Sequence, residues 1–174
     1  LVLSDYIIQK TKETIRKANE SDWKQLLNIY QSCANWLSSR GYDHWQGAYN
    51  EEKVKKRLKE MEVYFLYEKE IPVGTVSLSA KPAGYYKESY HGFWEDKSAK
   101  AIYIRGLAVL PSHHSKGFAV QLMDFAEKHI KESGIHYIRF DALRADDKLT
   151  QFYLNRHYKL VGQSEDHNFY EKLV

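Results

Sequence analysis

The residues best placed to do chemistry lie in one run, Arg105-Gly-Leu-Ala-Val-Leu-Pro-Ser-His-His-Ser-Lys-Gly-Phe-Ala-Val-Gln-Leu-Met123. An apolar strand ending in Leu107, Ala108 and Val109 turns at Pro111 into a short loop of His114, Ser115, Lys116 and Gly117. That loop opens directly into an amphipathic helix beginning at Phe118 and Ala119. Backbone N–H groups in such a loop converge with the positive end of the helix dipole, which binds a pyrophosphate without any cationic side chain. The chemistry implied is recognition of a phosphorylated cofactor. Neither a Walker A loop nor a dinucleotide fingerprint is present, because Lys116 precedes its glycine and the three spaced glycines are missing.

Downstream, Gly134 closes the helix, residues 137–142 read as a strand, and Asp146-Asp-Lys-Leu149-Thr-Gln-Phe152-Tyr153 opens another helix. The two motifs in this order, one helix and one strand apart, resemble the GNAT family of N-acetyltransferases. The resemblance is specific from about residue 103 to residue 163. It implies that His114, Ser115, Lys116, Gly117, Phe118 and Ala119 hold the pyrophosphate of acetyl-CoA as cosubstrate, with Leu107, Ala108 and Val109 along its pantetheine arm. Asp146 and Phe152 complete the cofactor residues. It further implies that the Val109 N–H faces the oxygen of the reacting carbonyl and that Tyr153 protonates the departing thiolate. A phenol stays protonated at neutral pH and can make that donation. The chain departs from the family pattern at His114, Asp146, Leu149 and His157, where Gln or Arg, Asn, Ala and Gly are common. His114 is therefore expected to contribute mainly its backbone.

An ammonium must lose a proton before it attacks a thioester, so a carboxylate or histidine is required nearby. Many members of the family carry an acid on the strand before Leu-Ala-Val, but this chain has Arg105-Gly106 there. Asp43, His44, His91, Glu95 and Asp96 remain as candidates, all within two aromatic segments, residues 42–49 and 85–96. These segments are expected to wall the acceptor pocket, with Trp36, His44, Trp45, His91 and Glu95 as substrate-binding residues. Aromatics with a few acids suit an amine held by its methylenes and its charge. A core under a long loop, or a homodimer contact, would use the same aromatics. The expected activity is acetyl transfer to a primary amine of a small molecule or peptide; the alternative is a non-catalytic CoA-binding module.

The elements that must position these residues follow from periodicity. Residues 14–17 read as a first strand, and residues 1–12 before it as a flexible or extra segment. Ser21 or Asp22 caps a helix whose apolar face runs through Trp23, Leu26, Leu27, Tyr30, Ala34 and Leu37 to Gly41. Asn50 caps a short charged helix through Glu60. Residues 63–68 and 73–80 form a hairpin with Glu70-Ile-Pro72 in its turn. Residues 81–100 lack periodicity, and a strand over 101–109 leads into the cofactor loop. Strands over 158–163 and 168–173 close the chain. The expected fold is a single α/β domain spanning residues 1–174, with a mixed sheet flanked by helices in the order βααβββαβαββ.

Composition narrows the classes. A chain of 174 residues with 43% hydrophobic and 28% charged residues suits one soluble domain. A net charge of +3, with its densest run at Lys53-Val-Lys-Lys-Arg57, argues against nucleic acid as a partner. One cysteine, Cys33, excludes an internal disulfide and suits a reducing compartment. No apolar run is long enough for a membrane span, and the first residues lack the features of a signal peptide, so a cytoplasmic location is expected. Eight histidines carry no zinc-type spacing, so no metal is expected.

Overall fold

The computed structural model describes residues 14–174; the expectation for residues 1–12 lies outside them. The elements are β1 (Thr14–Lys17), α1 (Trp23–Ser38), α2 (Glu51–Glu60), β2 (Glu62–Glu68), β3 (Ile71–Ser79), β4 (Ala101–Val109), α3 (Phe118–Glu132), β5 (Tyr137–Leu143), α4 (Asp147–Asn155), β6 (Lys159–Gln163) and β7 (His167–Leu173). This is the βααβββαβαββ order expected. The strands form one seven-stranded sheet in the order β1-β2-β3-β4-β5-β7-β6.

Only β4 and β5 run parallel, and they pair over three positions: Ala101 with Tyr137, Ile102 with Ile138, and Tyr103 with Arg139. Beyond Tyr103 the two strands part. A register shift in the β3–β4 ladder lies between the pairs Thr75–Ala108 and Ser77–Arg105, and Gly106 within it has φ of +59°. A bulge of this kind inserts an extra residue and bends the strand. Each strand stays paired on its other side, β4 with β3 and β5 with β7 along its whole length. The result is a wedge-shaped opening in the middle of the sheet.

Two cores flank that opening. On one face Leu122, Met123 and Ala126 of α3 and Tyr153 of α4 pack on Val76, Ile104, Phe140 and Tyr170. On the other, Leu26, Ile29, Tyr30 and Cys33 of α1 and Val54 and Leu58 of α2 pack on Phe65 and Ala108. Residues 81–100 include a 3-10 turn, Glu88–Phe93, and bury Trp94 against Tyr103 and Phe169.

Two local expectations change. Asn19, rather than Ser21 or Asp22, caps the first helical turn. Its side-chain oxygen accepts from the Ser21 N–H at 2.9 Å, and the Asp22 carboxylate accepts from the Asn19 N–H at 2.8 Å. A capping box satisfies two otherwise unpaired donors at once, which neither Ser21 nor Asp22 alone achieves. The β2–β3 turn is Lys69-Glu70, both with positive φ (48° and 63°), and Ile71 and Pro72 belong to β3. A two-residue turn of that hand matches the strand twist, while a register shift between Leu66 and Tyr67 accommodates Pro72 opposite Tyr67.

Candidate active site

The loop between β4 and α3 has the form expected for anion binding. Ser115 and Gly117 both take left-handed backbone (φ +64° and +81°), and Gly117 begins α3 with no side chain capping it. The first bond of the helix is Gln121 N–H to Gly117 O, at 3.1 Å. The N–H groups of Phe118, Ala119 and Val120 therefore have no helical acceptor, as at any helix start. Lys116 is turned aside onto Glu68 at 3.2 Å, and His113 meets the same carboxylate at 3.1 Å. Lys116 holds Glu68 below the usual carboxylate range. The cradle is thus backbone, with its nearest cation already neutralised.

His114 does more than supply backbone. Its Nε2 donates to the Val109 carbonyl at 2.9 Å, and its ring meets the edge of Trp36 at 4.6 Å. Cys33 Sγ donates to the same carbonyl at 3.3 Å, and burial pushes the Cys33 thiol up to about 11. Leu110 N–H donates to Val73 O at 2.8 Å. Alternation along the strand then turns the N–H of Val109, the neighbouring residue, away from β3 and toward the opening. Leu107 is half-buried beside it. Trp36, expected among the substrate residues, packs against His114 of the β4–α3 loop.

Across the opening, Tyr153 is buried on α4 against Phe140 and Tyr170. Burial raises its pKa, so it remains a phenol. Phe152 packs beside it with ring centroids 5.2 Å apart. Asp146, expected near the cofactor, accepts from the Leu149 N–H at 3.0 Å and caps α4. Its charge is spent on the helix start rather than opposed to a phosphate.

On the α1–α2 side the opening is lined by groups from four elements. Tyr49 stacks on Tyr30 (4.1 Å), and Trp45 sets its edge to both rings. Arg57 of α2 lies 5.4 Å from the Tyr30 ring and 5.5 Å from the Tyr49 ring. A Cβ on Gly106 would sit 2.4 Å from Tyr30 Oη and 3.1 Å from the Arg57 guanidinium, so only glycine permits this approach. Asp141 of β5, overlooked among the candidate bases, accepts from Tyr86 Oη at 2.6 Å and Tyr85 Oη at 2.9 Å, with His167 Nε2 at 3.7 Å. Burial and the Asp141 charge push both tyrosines up, which keeps them as donors. Two charges, Arg139 and Asp141, at alternate positions of an otherwise uncharged strand were the available signal.

The remaining candidates divide. His44 is only partly covered; that partial burial, then the neighbouring His167, lower its pKa while Asp146 opposes the shift, which places it near the start of β7 and of α4. Glu95 is held by Lys159 at 2.8 Å on the edge strand β6, and Asp96 accepts from Ser98 and Ala99 within its own turn. Asp43 accepts from Ser38 Oγ. His91 is exposed and has no hydrogen bond, ion pair or ring contact among the described residues. The structure therefore does not bring Glu95 or His91 to the opening, because residues 88–96 fold over Phe169 toward β6 instead. Among the described residues no cluster of His, Cys, Asp and Glu could hold a metal ion, and no helix is long and apolar enough to cross a membrane.

Comparison with known proteins agrees with this geometry. The chain is 23% identical over 161 residues to the uncharacterized N-acetyltransferase YesJ of Bacillus subtilis, covering 88% of this chain and 86% of that protein. A GNAT-family acetyltransferase of Listeria monocytogenes shares the fold with a TM-score of 0.77 at 19% identity, over 93% of this chain and 95% of that one. The PaiA N-acetyltransferase of Thermoplasma acidophilum, solved in complex with coenzyme A, gives 0.76 at 17% identity, over 94% and 99%. The acetyltransferase (GNAT) family model matches residues 23–158. With most of its length matched and its sheet opened above a backbone cradle, the chain belongs to the GNAT family of acetyl-CoA-dependent N-acetyltransferases.

Proposed function

We propose that the chain transfers the acetyl group of acetyl-CoA to a primary amine of a small molecule or peptide, and that Asp141 receives the amine. The observation that carries this reading is the opening between β4 and β5, with the uncapped start of α3 on one side and the Asp141 carboxylate on the other. The left-handed turns at Ser115 and Gly117 suit a pyrophosphate, since they direct successive N–H groups to one point. That the Thermoplasma relative of the same fold was solved with coenzyme A supports the assignment.

Bound acetyl-CoA supplies an activated acyl group; the rest is the work of this chain. Asp141 attracts the ammonium and draws its proton, with Tyr85 and Tyr86 fixing the carboxylate in place. The Val109 N–H is directed where negative charge grows on the carbonyl oxygen, and His114 and Cys33 fix the next peptide group through the Val109 carbonyl. Tyr153, kept neutral by burial, donates a proton to the sulfur. The role given to Asp141 replaces those weighed for Asp43, His44, His91, Glu95 and Asp96.

The test is Asp141→Asn, which preserves shape and removes charge. Thiol release with an amine panel should fall on the order of 10²-fold or more, while calorimetry should find acetyl-CoA affinity near that of the parent. Parental turnover in this variant would remove Asp141 from the role. Binding of acetyl-CoA with no release on any amine, in parent and variant alike, would favour the non-catalytic module.

A further inference from the structure

Four arginines among the described residues are at least partly buried: Arg57, Arg105, Arg139 and Arg156. Two of them are matched in the ordinary way. Arg139 meets Glu171 at 2.6 Å, and Arg156 meets Asp124 at 2.6 Å and Glu127 at 3.0 Å. Arg57 and Arg105 have no carboxylate partner among the described residues. Taking a guanidinium partly out of water without a counter-charge is unfavourable, and placing two together adds repulsion.

Both belong to the acceptor side of the opening. Arg57 reaches from α2 to the bulge at Gly106, where a Cβ would lie 3.1 Å from its Nη1, and it is braced by the Tyr30 and Tyr49 rings. Arg105 is the residue before that bulge. It follows Tyr103 at a spacing of two along β4, which puts it on the face where Tyr103 meets Tyr86 and Trp94. Tyr86, which meets Tyr103, also donates to Asp141, so Arg57 at the bulge, Arg105 beside it and Asp141 lie on one face of the sheet. Yet Asp141 pairs with neither arginine. Its oxygens are occupied by Tyr85 and Tyr86, and the opposite charges stay apart on this face.

A sheet face that holds a carboxylate and two guanidiniums separately is complementary to a ligand carrying both charges. We propose that the acceptor is a small zwitterionic amine, an amino acid or close analogue, whose carboxylate is bound by Arg57 and Arg105 while its amine is presented at Asp141. Guanidinium groups take carboxylates with two parallel bonds, so the pair would set the orientation as well as the affinity of the acceptor. The inference rests on the acetyl transfer proposed above. It also narrows that reading, since a simple amine or a peptide amino terminus has no carboxylate at this spacing.

The experiment compares matched pairs with saturating acetyl-CoA: leucine with isopentylamine, phenylalanine with phenethylamine, and lysine with cadaverine. Thiol release gives kcat/KM, and thermal melting in the presence of CoA gives binding independently of turnover. At least one amino acid should exceed its decarboxylated partner on the order of 10–100-fold, the contribution of a charge-assisted contact. Arg105→Gln and Arg57→Gln should each reduce that ratio about tenfold or more, with CoA affinity by calorimetry within about twofold of the parent. Preference for the decarboxylated amines, an unaltered ratio in both variants, or a matching loss of CoA affinity would overturn the inference. Turnover of simple amines alone would leave the acetyl transfer standing and sink the zwitterion. An arginine-dependent rise in melting temperature with an amino acid, but no thiol release, would do the reverse. Neither turnover nor a melting shift across the panel would also overturn it.

Discussion

At the scale of single residues, the shape of the opening depends on residues with no assigned part in the chemistry. Gly106 is the clearest case, because its left-handed backbone and the 2.4 Å clearance to Tyr30 Oη both exclude a Cβ. Gly106→Ala should destabilise the fold by about 2–4 kcal/mol, read as a lower urea midpoint. Parental stability would show that the bulge relaxes freely. Cys33 gives a prediction in pH. Its thiol is raised from an ordinary 9.0 to about 11, so the folded state binds a proton that the unfolded chain releases earlier. Its contribution to stability, on the order of 2–3 kcal/mol, is whole below pH 9 and is lost as pH rises toward 11. From pH 9 upward stability should fall more steeply in the parent than in Cys33→Ala, because the tyrosines raised from 10.0 add the same alkaline loss to both. Parallel curves would assign the alkaline loss to other groups.

At the scale of elements, sequence reading succeeded where the information is local and faltered where it is not. The loop from Val109 to Phe118 could be read because its form lies in backbone direction, which Gly117 and the following apolar helix period announce. Asp141 could not, since its meaning comes from Tyr85 and Tyr86, more than fifty residues earlier, folding across the opening. Glu95 and His91 were placed by composition, and composition does not tell which way residues 88–96 fold. His157 is a middle case. It stands where the family commonly has glycine, and it takes φ of +64° just after α4, with Tyr158 N–H bonding Tyr153 O and His157 N–H bonding Leu154 O. This closing motif favours glycine, so His157→Gly should raise stability by about 0.5–1 kcal/mol in denaturant titration; a loss would mean that the histidine side chain contributes more than its backbone strain costs. The loop has its own test. Gly117→Asp adds a side chain and a negative charge at the uncapped helix start and strains a φ of +81°. It should abolish CoA binding by calorimetry without unfolding the chain, whereas His114→Ala should weaken binding less, through a loosened Val109 carbonyl.

At the scale of the whole molecule, the sheet consists of two ladders, β1–β4 and β5–β7–β6, joined edge to edge by only three residue pairs. Such a seam would be weak if hydrogen bonds alone closed it. The core beneath it prevents that, since one contiguous cluster takes in Val76 and Ile104 from the first ladder, Leu122 and Met123 from α3, and Ile138, Phe140 and Tyr170 from the second. Burial of this kind is the dominant favourable contribution to folding, and here it spans the seam. The two halves should therefore unfold together, in a single calorimetric transition whose van't Hoff and calorimetric enthalpies agree. Acetyl-CoA, which the proposed site would hold between the ladders, should stabilise both at once. The gain should be about 2.7 kcal/mol at a hundredfold excess over Kd, with the whole transition moving upward as ligand is added. Two transitions, or a shift in only part of one, would mean that the opening divides the molecule into units that fold independently, and the backbone cradle and Asp141 would then lack a common rigid frame.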